Sequence, residues 1–99
     1  MKKKAQHSSG NVFRDLGFSP EEAVNLRIRA DLMVRLKQLI EARGLTQAGA
    51  AELFGVSQPR VSDLLRGKID LFSIDTLVNM LGRAGVSVSL VVRPRSKVA

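Results

Sequence analysis

The sequence predicts a small, mainly α-helical domain with five helices, or four helices and a short docked segment, followed by one C-terminal β-strand. Three observations predict this fold class. Helix-start residues and glycines alternate along residues 19–85, apolar residues recur between them at helical spacing, and the last apolar stretch alternates with polar residues instead. Because the chain has 99 residues and is 44% hydrophobic, it can form one compact core, and we expect a single domain.

Residues 1–18 precede the first long helix and fall into two parts. The segment 1–10 is basic and polar, which predicts a flexible arm. The segment 11–18, with the sequence NVFRDLGF, carries four apolar side chains that favour burial, so we expect it to dock on the domain.

A long helix is predicted to begin after Ser19. Ser19 suits the N-cap position, Pro20 suits the first helical position, and Glu22 completes a capping box. No glycine or proline follows until Gly44, where the helix is expected to end.

Two short helices are predicted within residues 46–67. Thr46 and Ser57 are suited to capping them, and Gly55 permits the positive φ of a sharp turn between them. Gly67 ends the second helix. Because isolated helices shorter than about 12–15 residues are marginal in water, packing against the rest of the domain must stabilise both.

The second short helix is predicted to present a polar surface beside its capped N-terminus, because Val61 and Leu64 face the core. Such a helix fits the major groove of DNA, where arginine can read guanine, glutamine can read adenine and aspartate can accept from cytosine. The predicted base-reading residues are Gln58, Pro59, Arg60, Ser62 and Asp63.

Phosphate contacts are predicted on both sides of this surface. Thr46 and Gln47 lie at a helix start whose N–H groups can face an anion, and Arg66 and Lys68 follow the second helix. A plainer interpretation is that the polar side chains form the solvated face of an ordinary helical bundle. Composition alone favours that interpretation.

The spacing within TQAGAAELFGVSQPRVSDLLRGK favours DNA binding instead. This stretch resembles the helix-turn-helix of the phage-repressor/Cro (XRE) family, and it meets each of the ten fixed positions of that pattern. The resemblance implies a lambda-repressor-like bundle with a phosphate contact by Gln47. It also implies base reading by Gln58, Pro59, Arg60 and Asp63.

Two residues depart from the family pattern. Gly49 stands inside a helix where the family commonly has glutamate, at a cost of about 1 kcal/mol relative to alanine. Pro59 stands where many members place a polar base reader. Because its ring nitrogen has no hydrogen to donate, we expect it to offer at most an apolar contact to a thymine methyl group.

A further helix, capped by Ser73, completes the helical domain over residues 19–85. The next stretch, residues 86–93, is rich in β-branched residues and alternates, which predicts a strand before a basic tail over 94–99. The residues on one side of this strand, predicted to serve dimerisation, are Val86, Val88, Leu90 and Val92.

A single strand leaves backbone N–H and C=O groups unpaired and therefore needs a partner. The candidates are the NVF segment of the same chain, the equivalent strand of a second copy, or a strand of another protein. We favour the second copy, because a two-fold homodimer would also set two recognition helices about one DNA turn apart, as a palindromic operator requires.

The layout of the whole chain also resembles the small single-domain XRE antitoxins, the HigA-like proteins encoded beside RelE/HigB-type ribonuclease toxins. This resemblance implies a repressor that regulates its own operon and neutralises a toxin. Two alternatives stay open: a stand-alone phage-type regulator, and a toxin-inhibiting module with little DNA specificity.

Composition argues against other classes of protein. The chain has no cysteine, its one histidine lies in the N-terminal arm, and we expect no metal, no cofactor and no catalytic site. No apolar run approaches the roughly 18 residues that span a bilayer, so we expect a cytoplasmic protein, associated with the nucleoid when bound to DNA. The net charge of +7 comes from the ends, because residues 15–92 carry equal numbers of acidic and basic side chains.

Overall fold

The computed structural model describes residues 11–94, and five helices and a 3-10 turn make up the regular structure of that part of the chain. The five-helix form of the prediction is thereby confirmed. The predicted flexible arm over 1–10 and all but the first residue of the predicted tail lie outside the described residues. The elements are α1 (Val12–Asp15), α2 (Pro20–Arg43), α3 (Gln47–Phe54), α4 (Gln58–Leu65), the 3-10 turn (Ile69–Leu71) and α5 (Ile74–Arg83).

The long helix α2 begins and ends as its sequence predicts. The Glu22 N–H donates to Ser19 Oγ at 3.2 Å, and the Ser19 N–H donates to Glu22 Oε1 at 3.3 Å, which forms the complete capping box. Gly44 ends the helix in the left-handed conformation, at φ 60°.

The core lies between α2, α3, α4 and α5. α2 packs along α5, while α3 packs against both α4 and α5, so each short helix contacts more than one neighbour. This packing gives the short helices the stability that they lack in isolation. The largest fully buried side chains are Phe54, Phe72, Leu36, Leu64, Leu77, Met80, Leu81 and Val61.

The segment before α2 forms the one-turn helix α1, which contacts α2. Asn11 caps it by accepting the Phe13 N–H at 3.0 Å, and its Nδ2 donates to the Ala23 carbonyl at 2.9 Å. The Phe13 and Phe18 rings meet edge to face at 6.2 Å. The expected burial is incomplete, because Leu16 is 69% exposed.

The predicted C-terminal strand is wrong for the single chain. Residues 86–93 adopt no regular secondary structure. The pattern of side chains favours a strand, but the hydrogen bonds of a strand require a second backbone. The intrachain partner that we considered, the NVF segment, is occupied in the start of α1.

Candidate nucleic-acid interface

α3 and α4 form two short capped helices joined by a turn at residues 55–57. Thr46 Oγ1 accepts the Gly49 N–H at 3.0 Å, and Ser57 Oγ accepts the Arg60 N–H at 3.3 Å. Gly55 adopts φ 72° between the helices, and the Val56 N–H donates to the Ala51 carbonyl at 3.0 Å. The predicted helix-turn-helix geometry is therefore present.

Gly49 lies close to the cap of α3 without being required by it. A Cβ atom at this position would lie 3.3 Å from Thr46 Oγ1, the same atom that accepts the Gly49 N–H. This contact is tight, but Glu22, Arg60 and Thr76 stand at the same position relative to their own caps and carry side chains. The cap alone therefore does not explain the glycine, which lowers the intrinsic helix propensity.

The side chains predicted to contact DNA differ in their exposure. Gln58 and Pro59 are exposed at the N-terminus of α4, whereas Ser62 and Asp63 are half-buried further along it. Val61 and Leu64 are fully buried, which anchors the opposite side of α4 in the core. The four residues predicted to contact phosphates are all exposed: Thr46, Gln47, Arg66 and Lys68.

Arg60 is less exposed than its place in the sequence predicts. Its side chain is half-buried and lies against the segment that follows α4. Nη1 donates to the Leu71 carbonyl at 2.8 Å, and the guanidinium carbon lies 4.6 Å from the centroid of the Phe72 ring. This is cation–π geometry over a ring that is itself 1% exposed.

A second arginine, Arg29 of α2, contacts the same segment. Its Nη1 donates to the Ile69 carbonyl at 3.1 Å and to the Phe72 carbonyl at 3.4 Å. Its Nε donates to Asn25 Oδ1 at 2.7 Å, which holds the guanidinium on its own helix. Asn25, Arg29, Arg60 and Phe72 lie together along a shallow concavity of about 420 Å³ beside the 3-10 turn.

Sequence reasoning did not identify Arg29 or Phe72 as part of this site. The spacing of Asn25 and Arg29 indicates a contact within α2, but the other partners of Arg29 lie 40 and 43 residues later along the chain. No local pattern reveals that contact, because it depends on how α2 crosses the segment after α4.

The predicted dimerisation residues lie in two different environments. Val86 and Val88 pack against the core and line a groove of about 510 Å³ with Leu32, Leu39 and Leu81. Leu90 and Val92 lie beyond the groove and are 72% and 88% exposed.

The described residues hold neither a metal-binding cluster nor a membrane-spanning helix. Between residues 11 and 94, no group of three or more histidine or acidic residues is arranged to hold a metal ion. Within the same range, no helix combines the length and the apolar character needed to cross a membrane.

Comparison with known proteins adds family evidence to this geometry. The profile of a helix-turn-helix domain family matches residues 12–93. A solved structure assigned to the XRE family of transcriptional regulators is 34% identical to this chain, with a TM-score of 0.71, over 79% of this chain and 90% of that one. No curated protein shows a significant match.

Proposed function

Because the chain belongs to the XRE family of helix-turn-helix regulators, we propose that it is a sequence-specific transcriptional repressor that reads duplex DNA with α4. The way α4 packs on the domain is the observation that carries this proposal. Its apolar side is fully buried through Val61 and Leu64, while the capped N-terminus carries exposed Gln58 and Pro59. A helix held in this way can enter a major groove without distorting the domain.

The chemistry of each side chain decides whether we assign it to a base or to a phosphate. We assign base reading to Gln58, Pro59, Arg60, Ser62 and Asp63, with Gln58 suited to adenine and Arg60 to guanine. Pro59 can contribute an apolar contact only. Thr46, Gln47, Arg66 and Lys68 are assigned to phosphates, which position the helix without reading sequence.

Replacement of Gln58 tests this proposal directly. The cognate duplex is first selected from random DNA by the full chain, and binding of Gln58→Ala is then compared on cognate and unrelated duplexes. We expect a loss of about 1–3 kcal/mol on the cognate duplex and little change on unrelated DNA, because a base contact carries the discrimination. Gln38→Ala, an exposed change on α2, is the control. Equal losses on both duplexes would contradict base reading by Gln58.

The proposed repressor acts as a homodimer on a palindromic operator. Support comes from residues 86–93, where an alternating apolar pattern ends in exposed Leu90 and Val92. Antiparallel pairing with the same segment of a second copy would supply the missing strand hydrogen bonds and cover these side chains.

We further propose that the repressor is an antitoxin that neutralises a RelE/HigB-like ribonuclease while repressing the shared operon. Exposed apolar side chains of α1 and its C-cap support a protein partner, since Val12 and Leu16 are 56% and 69% exposed. We propose that the protein acts by binding alone, without catalysis. It would do so in the cytoplasm, and at the nucleoid when it is bound to DNA.

Co-expression tests the antitoxin proposal. The chain is expressed with the product of the gene adjoining its own, and growth and messenger RNA integrity are followed. We expect the neighbour alone to arrest growth and the pair to restore it, with Gln58→Ala restoring growth as well, because toxin binding does not require base reading. A harmless neighbour would favour the stand-alone regulator. If the chain restores growth but selects no cognate duplex from random DNA, an inhibitor module with little DNA specificity would be favoured.

A further inference from the structure

We infer that Phe72 and the Leu71 carbonyl hold Arg60 in a preset orientation for base reading, so that Phe72 is a positioning residue for DNA specificity. This inference rests on the proposed function of α4. Phe72 is 1% exposed and therefore does not reach DNA itself. Its influence on specificity would pass through the side chain of Arg60.

Two contacts restrict the Arg60 side chain in different ways. The stacking distance of 4.6 Å holds the guanidinium over the Phe72 ring, and the 2.8 Å hydrogen bond from Nη1 to the Leu71 carbonyl restricts its rotation there. A long side chain that is already ordered loses less conformational entropy when it binds a base.

The contacts leave the reading edge of the guanidinium available. Within residues 11–94, no hydrogen bond engages Nε or Nη2 of Arg60. These two nitrogens form one edge of the arginine fork, whose parallel donors match the O6 and N7 acceptors of guanine. Arg60 can therefore keep its contact to Leu71 while it reads a base.

The segment that contacts Arg60 is itself held by a third element, helix α2. Arg29 donates to the Ile69 and Phe72 carbonyls, which flank the carbonyl that Arg60 uses. The segment that orients Arg60 is thus connected to α2 as well as to α4. Its position is set by the packing of the domain and not by the local conformation of a loop.

A double-mutant cycle tests the inference on the full chain. Arg60→Ala, Phe72→Leu and the combined variant are measured on the selected duplex and on duplexes with each base pair replaced in turn. We expect Phe72→Leu to weaken discrimination about two- to tenfold at the base pair that Arg60→Ala affects, the range expected when one ordered side chain becomes mobile. In the Arg60→Ala background the same change should have almost no further effect on discrimination.

Phe54→Leu is the matched control, because Phe54 is also 1% exposed and has no ring contact with Arg60. It should lower stability without altering discrimination. Additive effects of the two changes, or an equal effect of Phe72→Leu at every base pair, would overturn the inference while leaving sequence-specific binding intact. A wild-type chain with no preference at any base pair would overturn the proposed function as well.

Nuclear magnetic resonance of the wild-type chain gives a second readout that does not depend on the folding of a variant. The Arg60 Nε–H signal should be shifted upfield by the Phe72 ring in the free protein, and this shift should persist in the complex with the cognate duplex. Loss of the shift on binding would show that Arg60 leaves the ring to reach DNA, which overturns the preset orientation.

Discussion

At the scale of single residues, the caps and turns of this chain are decided locally. Ser19, Thr46, Ser57 and Ser73 each accept the backbone N–H of the residue three positions later. These residues need no distant partner to form their bonds, so their positions in the sequence were sufficient to predict the helix starts. Arg60 is the opposite case, because its partners lie beyond the end of its own helix.

Gly55 provides a test at this scale. Alanine at Gly55 must adopt φ near 72°, and its Cβ would overlap the Arg83 side chain unless Arg83 moves. Because Arg83 is exposed and flexible, we expect it to move, so Gly55→Ala should lose about 1–2 kcal/mol of unfolding free energy from the backbone alone. Denaturant unfolding gives the value.

Gly67→Ala is the matched control, since Gly67 has φ 70° and no atom within 4 Å of the added Cβ. The two variants should be equally destabilised. A loss at Gly55 that clearly exceeds the loss at Gly67 would show that the Arg83 side chain cannot move aside.

At the scale of elements, the orientation of α4 depends on how the following segment is attached. The 3-10 turn receives hydrogen bonds from Arg29 of α2 and from Arg60 of α4. It therefore connects the longest helix to the helix proposed to read DNA. The sequence predicted both helices, but it did not indicate that two arginines join them through the backbone of this turn.

Replacement of Arg29 tests this connection. Arg29→Met should destabilise the domain by about 1–2 kcal/mol, because two carbonyl groups lose a charged donor while the apolar stem is kept. Thermal or denaturant unfolding measures the loss, and binding to the cognate duplex should weaken with it.

Arg27→Met is the control two residues away on the same helix. Arg27 forms an ion pair with Asp31 at 3.5 Å, with side chains 49% and 67% exposed, and such exposed pairs contribute up to about 1 kcal/mol. Equal destabilisation by the two substitutions would mean that the Arg29 contacts do not hold the turn.

At the scale of the whole molecule, the largest disagreement between pattern and structure lies in residues 86–93. Val86 and Val88 find apolar contacts within their own chain, while Leu90 and Val92 do not. The pattern is that of a strand, and the single chain offers it no backbone to pair with. The proposed dimer would resolve this disagreement and would supply the second copy of α4 for a palindromic operator.

Leu90→Asp tests the dimer. The proposed dimer would bury Leu90 between paired segments, so a charge there should raise the dimer dissociation constant by at least about tenfold, because it would be desolvated without a partner. Sedimentation or light scattering over a concentration series measures this change. Ser89→Asp places the same charge on the opposite side of the alternating segment and should leave the dimer intact. A wild-type chain that stays monomeric at every concentration would remove the basis for the dimer.

The sequence by itself determined where α2, α3, α4 and α5 begin, the sharp turn at Gly55 and the polar N-terminus of α4. These features depend on caps, on glycine conformations and on a helical period, all of which act within a few residues. Only the tertiary structure decided that residues 86–93 form no strand in one chain. It also decided that Arg60 of α4 lies over Phe72, in the segment that Arg29 of α2 contacts. Such features depend on which backbones and side chains meet across the fold, and no local pattern specifies those contacts.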